Sequence, residues 1–480
     1  MFSRLLTNRL FVTACSAVFI VAGTYIAIQL AKGYRPTMNG DVRGTGLLAA
    51  NSVPNGAQVY INGKLTTATD TTITLDPDEY DIEIKKDGFI PWKKKLTIEK
   101  ELVAQTNALL FPAAPSLSPL TFTGATNAAP SPDGERIAFY AASASAQTKN
   151  GLYVLELSDN LLSLQRGSRQ ISREIKGFDL EHSTIAWSPD GSQLLVAYDG
   201  HSILLDPTRM NTLDGSQDAT PNLPRVFSEW EEELYKRERT RLAKFPDELQ
   251  RVATQSAVNV YFSPDDERIM YTATASSTLK DTLIPAIPAS NTQPQERMLT
   301  VGGIYVYDRK EDRNFRIGTD ALEKYALAVK KTLPTKKTGS SVEAAKNAAQ
   351  VETIPYVFAK KLLATDLYSS KQQSLTTSSS FFKRLQGSTT QETIANFQRH
   401  YSSLGTHGLQ WFPNSRHVMG IRGDMVFIKE YDNANETVLY SGPFSESFVF
   451  AWPNGSKLVL LTRLRQSQDN PPNLYAVTLK

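Results

Sequence analysis

The feature that most constrains the fold of this chain is a short phrase that recurs along it. Its clear copies are residues 130–134 (Pro-Ser-Pro-Asp-Gly), 187–191 (Trp-Ser-Pro-Asp-Gly) and 262–266 (Phe-Ser-Pro-Asp-Asp), and an apolar stretch follows each. Weaker copies are residues 411–415 and 452–455. Proline fixes φ, while aspartate, asparagine and glycine tolerate positive φ. Each copy therefore predicts a strand, a tight turn and a second strand.

Hairpins that recur at unequal intervals predict a β-propeller with blades of unequal length. The proline of the phrase recurs at Pro132, Pro189, Pro264, Pro413 and Pro453. Only the last interval, about 40 residues, is a bare blade length, so the longer intervals contain insertions or further blades. We expect a mainly β fold with an N-terminal transmembrane helix, a small β-sandwich, and a β-propeller with helical insertions over residues 106–480.

The N-terminus contains an apolar segment, residues 10–31, without a charged side chain. A helix of this length crosses a hydrocarbon core of ~30 Å at ~1.5 Å per residue. Basic residues stand on both sides, so the charge bias is slight. From the size and character of the remainder we expect residues 1–9 in the cytoplasm, residues 10–31 in the membrane and the bulk of the chain outside the cytoplasm.

Two alternatives to the anchor remain open. Residues 12–15 (Val-Thr-Ala-Cys) resemble a lipoprotein cleavage box, in which Cys15 would carry the lipid. The apolar core before Cys15 is short for that reading, and the apolar run continues well beyond it. The segment could also be a cleaved signal peptide, although no small-x-small site follows it. The anchor is the favoured interpretation.

Composition excludes several classes of function. The formal net charge of +3 over 480 residues gives no overall field that favours nucleic acid. Because Cys15 is the single cysteine, an intrachain disulfide and a cysteine-based zinc site are excluded. We therefore expect no cofactor and no nucleic-acid partner.

Residues 32–45 are polar with scattered glycine and proline, and we expect a linker there. Residues 46–105 show short alternating strands separated by turns. The turn signals are residues 53–57, 62–63 (Asn-Gly), 76–79 and 86–89. Short strands at this spacing predict a small β-sandwich.

These turns also carry a family resemblance. Residues 53–64 (Val-Pro-Asn-Gly-Ala-Gln-Val-Tyr-Ile-Asn-Gly-Lys) resemble the opening motif of the PEGA domain family, and residues 76–80 with 85–92 resemble its second half. Asn55 replaces the glutamate of the family name and Asp78 replaces the usual glycine. The resemblance spans about residues 45–105. It implies an extracytoplasmic location beside a membrane anchor and a binding or spacer role, with no reaction.

The remainder, about residues 115–480, is similar to WD-like propellers of the TolB type through its repeated turns. Residues 151–155, 303–308 and 473–477 match outer strands, and the last of these suits a blade that joins both termini of the ring. A fold-level resemblance does not fix function. The combination of anchor, sandwich and propeller resembles membrane-anchored bacterial PEGA domain-containing proteins of the cell envelope.

Helical insertions are expected at about residues 228–254 and 321–403. Residues 228–231 (Ser-Glu-Trp-Glu) form a capping box, which predicts a helix start. The pairs Glu232–Lys236 and Glu233–Arg237 have favourable i,i+4 spacing. Such a helix either offers a surface for protein docking or covers the propeller rim.

The usual local catalytic motifs are missing from the sequence: no Gly-x-Ser-x-Gly elbow, His-Glu-x-x-His helix or phosphate-binding Gly-Lys-Ser/Thr loop occurs. A dispersed Ser-His-Asp site stays open. The turn carboxylates Asp133, Asp190, Asp265 and Asp266 favour stabilisation of their own turns over a cation site. His400, His407 and His417 cluster in sequence, but no further metal ligand is evident.

The candidate binding residues come from two segments. They are Trp92, Lys93, Lys94 and Lys95 on the sandwich, and Trp230 and Tyr235 on the first insertion. The lysines, with Lys85 and Lys86, could meet anionic lipid or wall polymer, or could simply protect a strand edge from pairing.

Three functions are kept, in order of preference. The first is a non-catalytic scaffold of the cell envelope that binds an envelope protein. The second is binding of a cell-wall or surface polysaccharide, in which exposed aromatic rings would stack on sugars. The third is a propeller hydrolase or lyase.

Overall fold

The computed structural model describes residues 9–31, 34–36, 42–142, 146–158, 167–212, 218–285, 291–320, 390, 393–394, 397, 408–445, 448–463 and 471–480. The chain divides into two compact units. The first unit is Met1–Ala113 with Ile287–Pro294, and the second is Ala114–Ala286 with Gln295–Lys480. Both are mainly β.

An apolar helix, α1 (Arg9–Ala31), opens the first unit. Its stretch Phe11–Ile28 is long and apolar enough to cross a membrane, and none of it is buried within the protein. Phe19 is 79% exposed, which would be costly for a helix in water. The helix therefore agrees with the predicted apolar span and fits either an anchor or a signal sequence.

The predicted linker, residues 32–45, contains regular structure. Strand β1 (Tyr34–Pro36) pairs antiparallel with β2 (Val42–Gly44). The linker prediction did not include these two short strands, which satisfy each other's backbone groups.

A small β-sandwich follows the hairpin. Its strands are β3 (Gly46–Ala50), β4 (Ser52–Val53), β5 (Gln58–Ile61), β6 (Lys64–Ala68), β7 (Thr71–Leu75), β8 (Asp78–Lys85), β9 (Trp92–Ile98), β10 (Val103–Gln105) and β11 (Ala108–Leu109). They form sheets in the orders β6-β5-β8-β9, β10-β3-β7 and β11-β4. Asn62 and Gly63 have φ of 50° and 77° between β5 and β6, so the predicted two-residue hairpin is confirmed.

Alternation along the strands builds the core of the sandwich. Val59, Ile84, Trp92 and Leu96 point inward and are each at most 3% exposed. The sandwich extends beyond its predicted end at residue 105, because β11 pairs in parallel with β4 and Phe89 bridges to Pro112. The boundary between residues 105 and 106 was thus placed too early.

The second unit consists of antiparallel sheets. Its strands are β12 (Leu117–Pro119), β13 (Thr126–Pro130), β14 (Arg136–Ala141), β15 (Gly151–Glu156), β16 (Arg169–Arg173), β17 (Thr184–Trp187), β18 (Leu194–Tyr198), β19 (His201–Leu205), β20 (Ala257–Phe262), β21 (Arg268–Ala273), β22 (Ser277–Thr278), β23 (Met298–Leu299), β24 (Gly303–Asp308), β25 (Arg313–Thr319), β26 (Leu409–Trp411), β27 (His417–Arg422), β28 (Met425–Glu430), β29 (Thr437–Ser441), β30 (Val449–Ala451), β31 (Lys457–Thr462) and β32 (Asn473–Thr478).

These strands form five larger sheets, apart from a small β22–β23 pair. We name them sheet 1 (β13-β14-β15-β16), sheet 2 (β17-β18-β19), sheet 3 (β20-β21-β24-β25), sheet 4 (β26-β27-β28-β29) and sheet 5 (β12-β32-β31-β30). In sheet 5, the first strand of the unit pairs with the last, with Leu117 opposite Val477. Both ends of the unit therefore share one sheet.

The recurring phrase forms the first hairpin turn in sheets 1, 2 and 3. In sheet 3, the Ser263 hydroxyl donates to the Asp265 carboxylate at 2.6 Å, and that carboxylate accepts the Glu267 N–H at 3.1 Å. Ser188 and Asp190 repeat the hydroxyl–carboxylate bond at 2.5 Å in sheet 2. Each aspartate thus stabilises its own turn. Among the described residues, no group of His, Cys, Asp and Glu is arranged to hold a metal ion.

Apolar side chains join neighbouring sheets. One cluster joins sheets 5 and 1, one joins sheets 1 and 2, and one joins sheets 3 and 4. Two helices, α2 (Leu223–Leu242) and α3 (Asp247–Gln255), lie in sequence between sheets 2 and 3. Helix α2 packs on sheet 2 through Phe227 and Trp230, and its last residue joins α3 in a cluster with sheet 3.

Helix α2 begins before its predicted start. It starts at Leu223, so Ser228 lies inside the helix and the predicted capping box does not form the N-terminus. The buried side chains of Leu223 and Val226 extend the apolar face towards the N-terminus, which explains the longer helix. Most of the predicted insertion at residues 321–403 lies outside the described residues. Of it, Ile394 and Phe397 pack against α2.

Candidate functional site

The turns of neighbouring sheets are joined by a repeated pair of contacts. Between sheets 1 and 2, the Trp187 indole N–H donates to the Ala129 carbonyl at 3.0 Å. In return, the Arg136 guanidinium lies 4.9 Å from the Trp187 ring centroid and donates to the Gly191 carbonyl at 2.8 Å. The arginine of one sheet therefore fixes the turn of the next.

The same arrangement recurs between sheets 3 and 4. The Trp411 indole N–H donates to the Tyr261 carbonyl at 3.1 Å, and Arg268 donates to the Ser415 carbonyl at 3.1 Å. Here the arginine stacks on Tyr431, 4.1 Å from its ring centroid, in place of the tryptophan. Trp187 and Trp411 are both buried.

Helix α2 makes the corresponding contacts between sheets 2 and 3. Arg237 donates to the Pro189 carbonyl in the turn of sheet 2 at 3.2 Å. One helical turn later, Arg241 donates to Asp266 at 2.6 Å and to the Ser263 carbonyl at 3.2 Å in the turn of sheet 3. The i,i+4 spacing places both arginines on the helix face that meets these turns.

A cleft of about 400 Å³ opens beside these contacts. Its lining includes Asp133, Arg237, Glu238, Arg241, Tyr261 and Trp411. The turns of sheets 1 and 3, the first strands of sheets 3 and 4, and the C-terminal half of α2 contribute to its walls. Its volume lies within the usual range for ligand sites, and charged and aromatic groups meet in it.

Electrostatics differ among the carboxylates at this cleft. Burial raises the pKa of Glu238, an effect that Arg241 and Arg237 only partly offset. At Asp133, burial opposes ionisation, but hydrogen bonds from Ser131 and the Glu135 N–H, together with Arg136, hold the pKa below its usual value. At Asp266, burial is likewise outweighed by Lys244 and Arg241, so its pKa is lowered. Glu238 is therefore the carboxyl group that gains a proton most readily here.

The predicted residues of the sandwich do not converge on a site. Trp92 is 3% exposed and packs in the core, so its ring offers no face to a ligand. Lys93 lies 3.0 Å from Glu83, Lys95 lies 3.6 Å from Glu79, and half-buried Lys94 stands opposite Ile82 in the sheet. Lys93 and Lys95 therefore meet carboxylates across the strand pair.

Trp230 and Tyr235 belong to the packing of α2. Trp230 is 4% exposed and meets Phe397 edge-on with ring centroids 5.5 Å apart. Tyr235 is half-buried against the same cluster. Trp230 therefore holds the helix on sheet 2 and has no exposed ring face for docking.

Sequence reasoning missed Arg237, Glu238 and Arg241 as a group. The predicted pair Glu232–Lys236 forms at 2.8 Å, but Arg237, expected to pair with Glu233, reaches the Pro189 carbonyl instead. The available signal was the concentration of basic residues in the predicted helix, namely Lys236, Arg237, Arg239, Arg241 and Lys244. Of the clustered histidines, His417 is buried beside Asn414 at 2.9 Å, and His400 and His407 lie outside the described residues.

Comparison with known families identifies the sandwich. The family model described as "PEGA domain" matches residues 45–112. This segment is a PEGA domain. The match covers β11 and Pro112, in agreement with the observed end of the sandwich. No curated protein matches the sequence.

Two solved structures are similar to the chain at low identity. The crystal structure of TolB from Acinetobacter baumannii is 12% identical, with a TM-score of 0.19. The match covers 84% of this chain and 61% of that one, so the chain spans less than two thirds of that relative. The structure of putative TolB from Agrobacterium tumefaciens is 11% identical with a TM-score of 0.18, and the match covers 74% of this chain and 78% of that one. Scores of this size do not establish a shared fold.

Proposed function

We propose that this chain is a single-pass membrane protein of the bacterial cell envelope that acts as a non-catalytic binding platform. In this proposal α1 anchors the chain, its N-terminus lies in the cytoplasm, and the PEGA domain and the second unit lie outside. The long exposed apolar surface of α1 and the PEGA domain at residues 45–112 support this location.

The second unit is proposed to form a propeller-like ring of five sheets. Side-chain contacts follow one another from sheet 5 to sheet 1, then to sheet 2, through α2 to sheet 3, and on to sheet 4. A Cβ on Gly455 of sheet 5 would lie 2.9 Å from the Phe412 ring of sheet 4, so these two also meet. This succession of contacts, together with the pairing of β12 with β32, supports a closed ring.

The single observation that carries the binding role is the construction of the cleft. Its walls are turns held by hydrogen bonds and ion pairs, so the binding groups are fixed before a ligand arrives. Preorganisation of this kind lowers the entropic cost of binding. The charged groups at these turns are engaged in ion pairs: Arg241 of α2 with Asp266 in the turn of sheet 3 at 2.6 Å, and Arg136 with Asp133 within the first hairpin of sheet 1 at 3.2 Å. This engagement supports binding better than proton transfer.

Polysaccharide binding has less support in the described part of the chain. Trp92, Trp187, Trp230, Trp411 and Trp452 are all buried, so none presents an open ring face for a sugar to stack on. A glycan would have to bind through other groups.

Photo-cross-linking from intact cells tests the proposal. A photoreactive residue would replace Pro264, an exposed residue at the cleft. The matched control replaces Pro443, an exposed proline of the same unit away from the cleft lining. We expect a protein adduct from position 264 and none from position 443. Adducts at both positions or at neither would overturn the proposed binding site, and a glycan adduct at position 264 alone would favour the polysaccharide hypothesis.

A further inference from the structure

We propose that the cleft beside α2 binds an acidic segment of a protein partner, with Arg237 as the residue that holds its carboxylate. This inference rests on the proposed binding role of the cleft and adds the chemical class of the ligand. It concerns the described part of the second unit alone.

The positive charge at the cleft exceeds what its own carboxylates neutralise. Asp266 accepts from Arg241 at 2.6 Å and from Lys244 at 2.8 Å, so one carboxylate serves two cations. Asp133 is matched by Arg136 at 3.2 Å. Glu238 lies 3.5 Å from Arg241. Four cations (Arg136, Arg237, Arg241 and Lys244) thus meet three carboxylates here, and Arg237 is the cation that forms no ion pair among the described residues.

Arg237 is placed to use that charge. Its side chain is exposed at the cleft, and among the described residues its hydrogen-bond partner is the Pro189 carbonyl at 3.2 Å. This bond uses one terminal nitrogen and orients the guanidinium plane. A guanidinium has five N–H donors, so several are left to bind a carboxylate in bidentate fashion.

The rest of the lining favours a peptide over a phosphate polymer. Half-buried Val260 and Tyr261 give the cleft an apolar wall for a side chain of the ligand. The carboxyl groups of Asp133 and Glu238 can accept hydrogen bonds from peptide N–H groups, which a phosphate polymer does not have. The lining therefore suits a short peptide segment in which an acidic side chain meets Arg237 and a neighbouring apolar side chain packs against Val260 and Tyr261.

Binding of defined probes to the full-length protein in detergent tests the inference. The probe is a fluorescent, end-blocked peptide of glutamates around one phenylalanine, and its counterpart has lysines in place of glutamates. We expect the acidic peptide to bind at least about tenfold more tightly than the lysine peptide, and Arg237→Gln to weaken it by about tenfold, because a charge-assisted bidentate contact is lost.

Two variants control this measurement. Arg239→Gln makes the same charge change on the same helix, but Arg239 is not part of the cleft lining, so its affinity should stay within about twofold of the wild type. Arg237→Lys keeps the positive charge but loses the paired donors of the guanidinium group, so it should give an intermediate affinity. Because Gln is two bonds shorter than Arg, the bond to the Pro189 carbonyl is lost as well, and an unchanged melting temperature would show that the fold is kept.

Three results would overturn the inference. They are equal losses in Arg237→Gln and Arg239→Gln, tighter binding of the lysine peptide, and a loss of polyphosphate binding in Arg237→Gln without any loss of peptide binding. If these occur while position 264 still gives a protein adduct, the ligand class is wrong and the binding role stands. If the adduct is also missing, the binding role falls with it.

Discussion

Two basic segments of this protein look alike in sequence and differ in the structure. On the PEGA domain, Lys85 and Lys93 both lie within 3.0 Å of Glu83, and Lys95 lies 3.6 Å from Glu79. On α2, Arg241 and Lys244 share Asp266, and Arg237 meets a backbone carbonyl. On both segments two cations share one carboxylate, but Lys93 and Lys95 each meet a carboxylate across the strand pair, whereas Arg237 forms no ion pair among the described residues. The comparison shows that the pairing of charges, more than their number, marks a candidate anion site.

The largest expected effect concerns the core beneath the lysines of the PEGA domain. Trp92→Ala should lower the stability of this domain by about 3–5 kcal/mol, because it removes a buried indole and leaves a cavity. Hydrogen exchange of the β5, β8 and β9 amides in the full-length protein would measure it, since a chain with two units need not unfold in one step. Unchanged protection in this variant would contradict the assignment of Trp92 to the core.

A smaller effect is expected at the contact between α2 and sheet 3. Arg241→Ala removes the bonds to Asp266 and Ser263 and the contact with the Phe262 ring, 4.8 Å from the guanidinium. The loss should be about 2 kcal/mol, because a charge-assisted hydrogen bond between partly buried groups is broken. Thermal unfolding of this variant would measure the loss, with Arg239→Ala, at an exposed position, as the control. Equal melting temperatures for the two variants would show that the contacts of Arg241 do not stabilise the fold.

Replacing the carboxyl group of Glu238 is expected to stabilise the protein, in contrast to the two substitutions above, and the gain should depend on pH. Its pKa is raised by burial, so the ionised form destabilises the fold. Glu238→Gln should therefore raise the melting temperature at pH 7. The gain should be complete above the raised pKa and disappear as the pH falls to the unfolded value, about 4.3. A loss of stability at pH 7 would show that Arg241 and Arg237 outweigh burial.

The smallest effect is expected at the lysines of β9. Lys93→Ala should change stability by less than about 1 kcal/mol, because the Lys93 side chain is 70% exposed and its ion pair is screened by solvent. It should also leave binding of acidic probes unchanged, because Lys93 is already paired with Glu83 at 3.0 Å and is not part of the cleft. If binding of anionic vesicles depended on Lys93, this lysine would bind anions despite its ion pair with Glu83, contrary to the prediction.

Local turn chemistry made much of the fold predictable. The Asn62-Gly63 hairpin and the Ser-Pro-Asp turns formed as expected, because these residues favour their turns in any context. The start of α2 was misplaced because burial of Leu223 and Val226, a tertiary effect, outweighed the capping signal at Ser228. The end of the PEGA domain was missed because β11 pairs in parallel with a strand more than 50 residues earlier.

The candidate site was less predictable than the fold. Trp92 and Trp230 were singled out as large aromatic residues, but chemical type does not reveal which face of a strand or helix is buried. Arg237, Glu238 and Arg241 become a group only when α2 meets turns formed by residues 189 and 263–266. That meeting depends on packing between distant segments, which no local pattern in the sequence encodes.

The most direct test of the central claim, that the α2 cleft binds through Arg237, combines the cross-linker at position 264 with two variants in intact cells. The account predicts that the protein adduct disappears in Arg237→Gln and persists in Arg239→Gln. An adduct of equal yield in both variants would contradict it, because the ligand would then be held without the cation at the centre of the proposal.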